Sequence, residues 1–254
     1  MHQMTTDEVD WVDTAFAANR LLATCDRDSR DLLERHAQHL DLAVGDTVLR
    51  PGEHVASSVF PFGSTMISML VEIGGDRSVE VASIGREGAV GGIISCGHAP
   101  AYALAEVQVA GPALRIPMTA LNDAKSRSPF ISNIFCRYSD YLLAQVMQSV
   151  ACNAFHSIAE RCARWLLTAQ DRAGDRISLT QEALAGLLGV QRTTVNAVIG
   201  ELQGEGLIAT RRGMVEVVDR VGLQRRACAC YGQIEKHFGD IIGVNGSGGS
   251  PDCD

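Results

Sequence analysis

Nowhere in this 254-residue chain do eighteen apolar residues run together, so no membrane-spanning helix is expected. The opening stretch, residues 1–8, is acidic and has no basic cluster ahead of an apolar core. No secretory leader is therefore expected, and the chain reads as cytoplasmic. The eight cysteines are scattered, and none are spaced as CxxC. Reduced thiols are the default in such a setting. Internal repeats are lacking. So is a phosphate-binding loop: the glycine-rich stretch 85–92 has no Gly-Lys-Ser/Thr and no helix signal behind it, and it reads as a turn between strands. No Ser/His/Asp or Cys/His nucleophilic set stands out, so an enzyme is not expected. A net charge of −8 argues against a general nucleic-acid coat.

The charge that is present is unevenly placed. Residues 1–171 carry 13 Lys+Arg against 20 Asp+Glu, whereas residues 172–226 carry eight arginines against six acids. The second segment is the only cationic one, and it also holds the most informative motif.

Ahead of it, residues 26–38 read as a short amphipathic helix with Leu32, Leu33 and Ala37 on one face and Asp26 or Asp28 as its cap. His36 and His39 are expected on an exposed helix. From residue 40 to about 117, short apolar runs at 47–49, 59–62, 66–71, 79–81, 106–109 and 114–116 alternate with Gly/Pro turn signals. Strands at that spacing predict an antiparallel sandwich or barrel. Residues 130–173 contain neither Gly nor Pro and predict a helix of some forty residues. Ile131, Phe135, Tyr138, Leu142 and Val146 form an apolar stripe along it. Such a stripe needs a partner, and these five residues are expected to form a dimer interface with the same stripe on a second copy, packing onto the chain's own domain being the alternative.

The informative stretch is 179–208. Thr180 is placed to cap a helix carrying Leu184, Leu187 and Leu188 inward. Gly189 sits at the sharp turn, where a positive φ is wanted. A second helix follows with Val195, Val198, Ile199 and Leu202 facing inward. Gln191, Arg192, Thr193, Thr194 and Asn196 are left on its first turn and outer face. A recognition helix has this layout, since its N-terminal turn offers donors to phosphates and base edges. Two β-type runs then flank Arg211 and Arg212, a wing whose tip suits backbone phosphates. The predicted DNA contacts are thus Thr180, Gln191, Arg192, Thr193, Thr194, Asn196, Arg211 and Arg212.

With these elements in order, and with the segments 79–91 (VEVASIGREGAVG) and 188–195 (LGVQRTTV), the sequence resembles the Crp/Fnr family of bacterial regulators over about residues 20–222. The resemblance implies an α+β fold: an N-terminal antiparallel β-roll of the cyclic-nucleotide-binding type over 20–127, a dimerisation helix over 128–172 and a winged helix-turn-helix over 173–226. A disordered tail is expected over 243–254. It further implies a homodimer on a palindromic double-stranded DNA site, with RNA polymerase as a partner if the protein activates.

The departures from the family pattern are informative. Cyclic-nucleotide binders carry a Gly-Glu pair after the roll's glycine turn and, about ten residues on, an Arg-Ser pair that clamps the phosphate. Here the pocket positions are Gly91, Gly92, Ile93, Ala103 and Leu104, and residues 91–109 contain no arginine. An anionic phosphate would lose its charge-assisted bonds there, so cyclic-nucleotide dependence is not expected and the effector is left unnamed. The family's iron–sulfur branch needs more thiols than Cys25 and Cys96 supply. Arg192 matches the family arginine, while Thr193 and Ala197 replace a glutamate and a second arginine. A ligand- or partner-binding adaptor without DNA affinity remains the alternative. Cys152 and His156 lie one helical turn apart, but Cys162 does not complete a ligand set with them, and packing is their expected role. Cys228 and Cys230 read as a possible redox pair. No cofactor or metal is expected.

Overall fold

The computed structural model describes residues 6–74, 77–93 and 98–242, so Cys96 and the expected tail at 243–254 lie outside it. The elements run α1 (Thr6–Ala18), α2 (Arg27–Glu34), β1 (Gln38–Leu42), β2 (Thr47–Leu49), β3 (Ser57–Pro61), β4 (Met66–Gly74), β5 (Arg77–Ile84), β6 (Leu104–Val109), β7 (Gly111–Pro117) and α3 (Met118–Arg127). They continue α4 (Pro129–Phe155), α5 (Ile158–Ala173), β8 (Arg176–Ser178), α6 (Gln181–Leu188), α7 (Arg192–Gly204), β9 (Ile208–Arg211), β10 (Met214–Val217), α8 (Arg220–Arg226) and α9 (Cys230–Ile242).

The six apolar runs noted above become β2 to β7. They form two antiparallel sheets, of order β1-β7-β3 and β2-β6-β4-β5. Side chains alternate across each strand, so one sequence serves two cores. Val59 and Ala113 from the first sheet meet Ile67, Ala105 and Val107 from the second between the sheets. On the other face of the first sheet, Phe60, Leu114 and Ile116 pack against α1, α3 and α4. On the other face of the second, Met66, Leu70 and Val109 pack against residues of α5, α6 and α7. Both faces of each sheet thus bury apolar side chains, and each fully buried Ile or Val contributes about 1.5–3 kcal/mol.

Four expectations are corrected. Asp26 does cap α2, accepting from Ser29 N–H at 2.8 Å, but that helix stops at Glu34. His39 belongs to β1 instead, its ring edge-on to Trp11 and Phe62 at 5.2 and 6.0 Å. The forty-residue helix is two helices. Ser157 opens α5 with a capping box, its own N–H donating to Glu160 Oε2 at 2.8 Å while Glu160 N–H donates to Ser157 Oγ at 3.3 Å. The stripe on α4 faces inward: Ile131, Phe135 and Tyr138 are buried in the chain's own core. Tyr138 Oη accepts from Ala89 N–H at 2.9 Å and donates to Ala89 O at 3.1 Å. A Cβ on Gly88 would lie 1.9 Å from that hydroxyl oxygen, so glycine is required there. Finally, residues 230–242, which carry no earlier assignment, form α9 along α4, with Phe238 edge-on to Tyr141 at 5.1 Å.

Two polar links join the roll to the helices beyond it. Arg172 at the end of α5 is ion-paired with Glu87 in the loop after β5, both side chains 8% exposed. Burial works to raise the Glu87 carboxyl, but the Arg172 guanidinium and the Gly85 N–H outweigh it and hold the group below the usual carboxylate range. Glu80 on β5 accepts from Trp165 Nε1 at 3.2 Å and from Ser68. Here burial dominates and the carboxyl is raised.

Candidate nucleic-acid interface

Thr180 caps α6 by accepting from Ala183 N–H at 3.1 Å. The helix ends at Gly189 in the left-handed region, φ 67°, with its N–H on the carbonyls of the last turn. A side chain at 189 would also press on Val79 of β5. Arg161 Nη2 donates to Leu188 O at 2.8 Å and fixes the same turn from α5. Val195, Val198, Ile199 and Leu202 anchor α7 inward. Gln191, Arg192, Thr193, Thr194, Asn196 and Ala197 are all exposed on its first two turns.

The wing is a hairpin in which Arg211 pairs with Met214 across a two-residue loop, Gly213 taking φ 70°. β8, which carries no earlier assignment, adds a third strand on the other side of β10. Wing and helices together enclose a cleft of about 450 Å³ that gathers Thr180, Arg192, Arg211 and Arg212.

Net charge understates what is available there. Arg172, Arg176, Arg220 and Arg226 are engaged with Glu87, Glu216, Asp171 and the pair Glu201 and Glu205. Arg192 touches only Glu182, at 3.6 Å in an exposed pair that a phosphate can displace. Arg211 and Arg212 make no ion pair among the described residues and are exposed. Within residues 172–226, Arg211, Arg212 and the weakly held Arg192 thus lie beside the polar face of α7, while Arg225 on α8 also makes no ion pair among the described residues.

Within the roll lies a second cavity, of about 530 Å³. Gly91, Gly92, Ile93 and Ala103 line it, with Val55, Met69 and Tyr102. Leu104 does not, because the next position along β6 points to the opposite face, against the helix-turn-helix core. Leu142 and Val146 close the cavity from α4. No charged side chain is among the described lining residues: Arg86 is exposed elsewhere, and Arg115 donates to Gln38 on the outer surface. The described lining thus offers a cyclic phosphate no cationic partner. What α4 leaves uncovered is a different stripe, Leu143, Met147 and Val150, each more than half exposed.

The Crp-like helix-turn-helix domain family matches residues 160–226. The HTH-type transcriptional regulator Cmr of Mycobacterium tuberculosis is 38% identical over 52 residues, a match spanning 20% of this chain and 21% of that protein. Two solved structures cover far more. A Crp/Fnr-family regulator from Eubacterium rectale superimposes with a TM-score of 0.64 at 16% identity, covering 81% of this chain and 96% of its own. FixK2 from Bradyrhizobium japonicum gives 0.62 at 14%, covering 76% and 98%. At these identities the likeness is one of fold. Its roll, long helix and winged helix-turn-helix follow the order described above: residues 160–226 match the Crp-like helix-turn-helix domain family, and the chain as a whole shares the fold of solved Crp/Fnr regulators.

Proposed function

We propose that the protein is a sequence-specific DNA-binding transcription regulator that acts as a homodimer on a palindromic operator and answers to an uncharged, apolar effector. The observation that carries the reading is the exposed polar face of α7 beside Arg211 and Arg212, which make no ion pair among the described residues, and Arg192, held only by an exposed contact with Glu182. An N-terminal helical turn with hydroxyls, amides and a guanidinium reads base edges in the major groove, and flanking arginines hold phosphates. The stripe Leu143, Met147 and Val150 has the 4-and-3 spacing of a helix seam and supports pairing of α4 with its twin. Leu142 and Val146 lie next to that seam and on the cavity wall, so an occupant of the cavity touches the helix that would hold the dimer together. This reading places the protein in the cytoplasm, with RNA polymerase as its partner where it activates.

Selection from random duplex DNA followed by gel shift tests it. The expected result is an enriched inverted repeat whose half-sites lie about one helical turn, 10–10.5 bp, apart. No enrichment over bulk DNA would favour the adaptor reading instead.

A further inference from the structure

Two features that the sequence leaves apart meet in space. Cys152 is in the last turn of α4, and His156 is that helix's C-terminal cap. Cys228 follows α8, and Cys230 opens α9. Their four donor atoms all lie within 4.8 Å of one another. Cys152 Sγ is 3.5 Å from Cys228 Sγ, and Cys230 Sγ is 3.5 Å from His156 Nδ1. The three cysteines are at most 5% exposed and form a buried cluster of their own.

The geometry points to a mononuclear zinc site with Cys152, Cys228, Cys230 and His156 as its four ligands. Zinc in a closed structural site takes four N/S ligands in a tetrahedron, with Zn–S about 2.3 Å and Zn–N about 2.0–2.1 Å. The edges of such a tetrahedron are about 3.8 Å for S···S and about 3.5 Å for S···N, close to the two separations found here. A cubane iron–sulfur cluster ties each thiolate to a separate iron and holds the sulfurs out of mutual contact, so this spacing is too tight for one. Three thiolates and a neutral imidazole are also a borderline-soft donor set of the kind zinc takes. Binding displaces the three thiol protons and leaves the site with one net negative charge.

The surroundings suit that charge. Gln148 Nε2 donates to Cys230 Sγ at 2.9 Å, an outer-shell bond to a ligand atom. Arg161 lies within electrostatic reach of Cys152 and Cys228, is 8% exposed, and has a buried Nε–H without an acceptor among the described residues. Packing of thiols alone explains neither the imidazole among them nor the guanidinium beside them. Zinc here would join the end of α4 to the segment that leads into α9, Cys152 and Cys228 lying 76 positions apart. Through Arg161 and its bond to Leu188 O, the site also adjoins the helix-turn-helix corner.

The test uses the full chain, purified anaerobically under reducing conditions, loaded with zinc and desalted. Elemental analysis is expected to find one zinc per chain, and cobalt in its place is expected to show thiolate-to-metal charge transfer and tetrahedral d–d bands. Gln148→Leu, which leaves all four ligands in place, is expected to weaken zinc binding about 10- to 100-fold with an unchanged circular dichroism spectrum. Cys136→Ser, on the exposed side of α4, is expected to change nothing. Cys228→Ser is expected to abolish stoichiometric binding. The proposal is overturned by a folded wild-type chain that retains no zinc, by equal binding in wild type and Gln148→Leu, or by iron with acid-labile sulfide in place of zinc.

Discussion

Arg192 stands at the first position of α7 and is held only by an exposed contact with Glu182. Its guanidinium is free to reach guanine or phosphate. Arg192→Ala is therefore expected to cost roughly 1–3 kcal/mol of binding to the selected operator, measured by titration against wild type. Equal affinity would remove this residue from the interface. Arg211 and Arg212 are proposed to differ in kind, as wing-tip groups that hold the phosphate backbone rather than read bases. Replacing both by Ala should weaken binding to every sequence alike and flatten the salt dependence by about 0.9 per lost phosphate contact. A change of base preference with an unchanged slope would show that the wing reads sequence. Glu87 is the residue on which pH acts. Its carboxyl is depressed in the folded state, so the stability it contributes is present above the unfolded value and is lost as pH falls through the folded one. Glu87→Gln leaves Arg172 buried without its partner and is expected to cost about 3–5 kcal/mol at pH 7. In urea melts that cost should shrink as the medium is acidified below about pH 4, the ordinary glutamate range. A cost independent of pH would mean that the side chain acts through packing alone. Glu80, raised by burial, works with the opposite sign and softens the wild-type profile.

At the level of elements, α4 has one apolar face committed to the roll and another left open. Met147→Asp is expected to split the proposed dimer, since each copy would bring a carboxylate to the same seam, whereas Cys136→Asp near its far end should do so less. Sedimentation reads both, and an intact dimer in Met147→Asp would move the interface off α4. This helix also shows how far sequence patterns reach. Ile131, Phe135 and Tyr138 announce an apolar stripe, but periodicity says only that a stripe is covered, not by what. The answer depends on Phe60, Leu114 and Ile116, fifteen or more residues away on the roll. The helix-turn-helix was legible almost residue by residue, because Thr180, Gly189 and the Val195–Leu202 spacing act locally: cap, turn and face are set within a few residues. β1, β8 and α9 were not. The first reads as Gln-His-Leu-Asp-Leu, with few β-formers; the second is three residues long; the third follows a break at Cys228 and takes its burial from Tyr141 on another helix. The fourfold meeting of Cys152, His156, Cys228 and Cys230 was hidden for the same reason, its halves lying on segments that only tertiary packing unites.

For the molecule as a whole, the roll and the helix-turn-helix share one core, in which Met66, Leu70 and Val109 meet Trp165, Leu187 and Leu188. A ligand taken up by the roll should thus report on the entire fold. A ligand at a hundredfold excess over its dissociation constant stabilises by about 2.7 kcal/mol, which for a chain of this size is a shift in Tm of about 5–10 °C. Cyclic AMP and cyclic GMP at millimolar concentration are expected to give no such shift, since the cavity lining offers a phosphate no cationic partner. A saturable shift with either would mean that a charged side chain does reach the cavity in solution.

Arg20 and Glu235, which bond at 2.7 Å, are 215 residues apart in the chain, and Phe16 shares its core with Phe238 and Ile242. At about 5–20 residues per second, a ribosome needs roughly 10–40 s between making the first of these segments and the second. For most of that interval Phe16 and Leu21 have left the exit tunnel while the helix that shares their core does not yet exist. The nascent protein is therefore sticky at its beginning until its end is made. Polypeptides released early are the ones that quality control should recognise, by a surface that the finished molecule never shows.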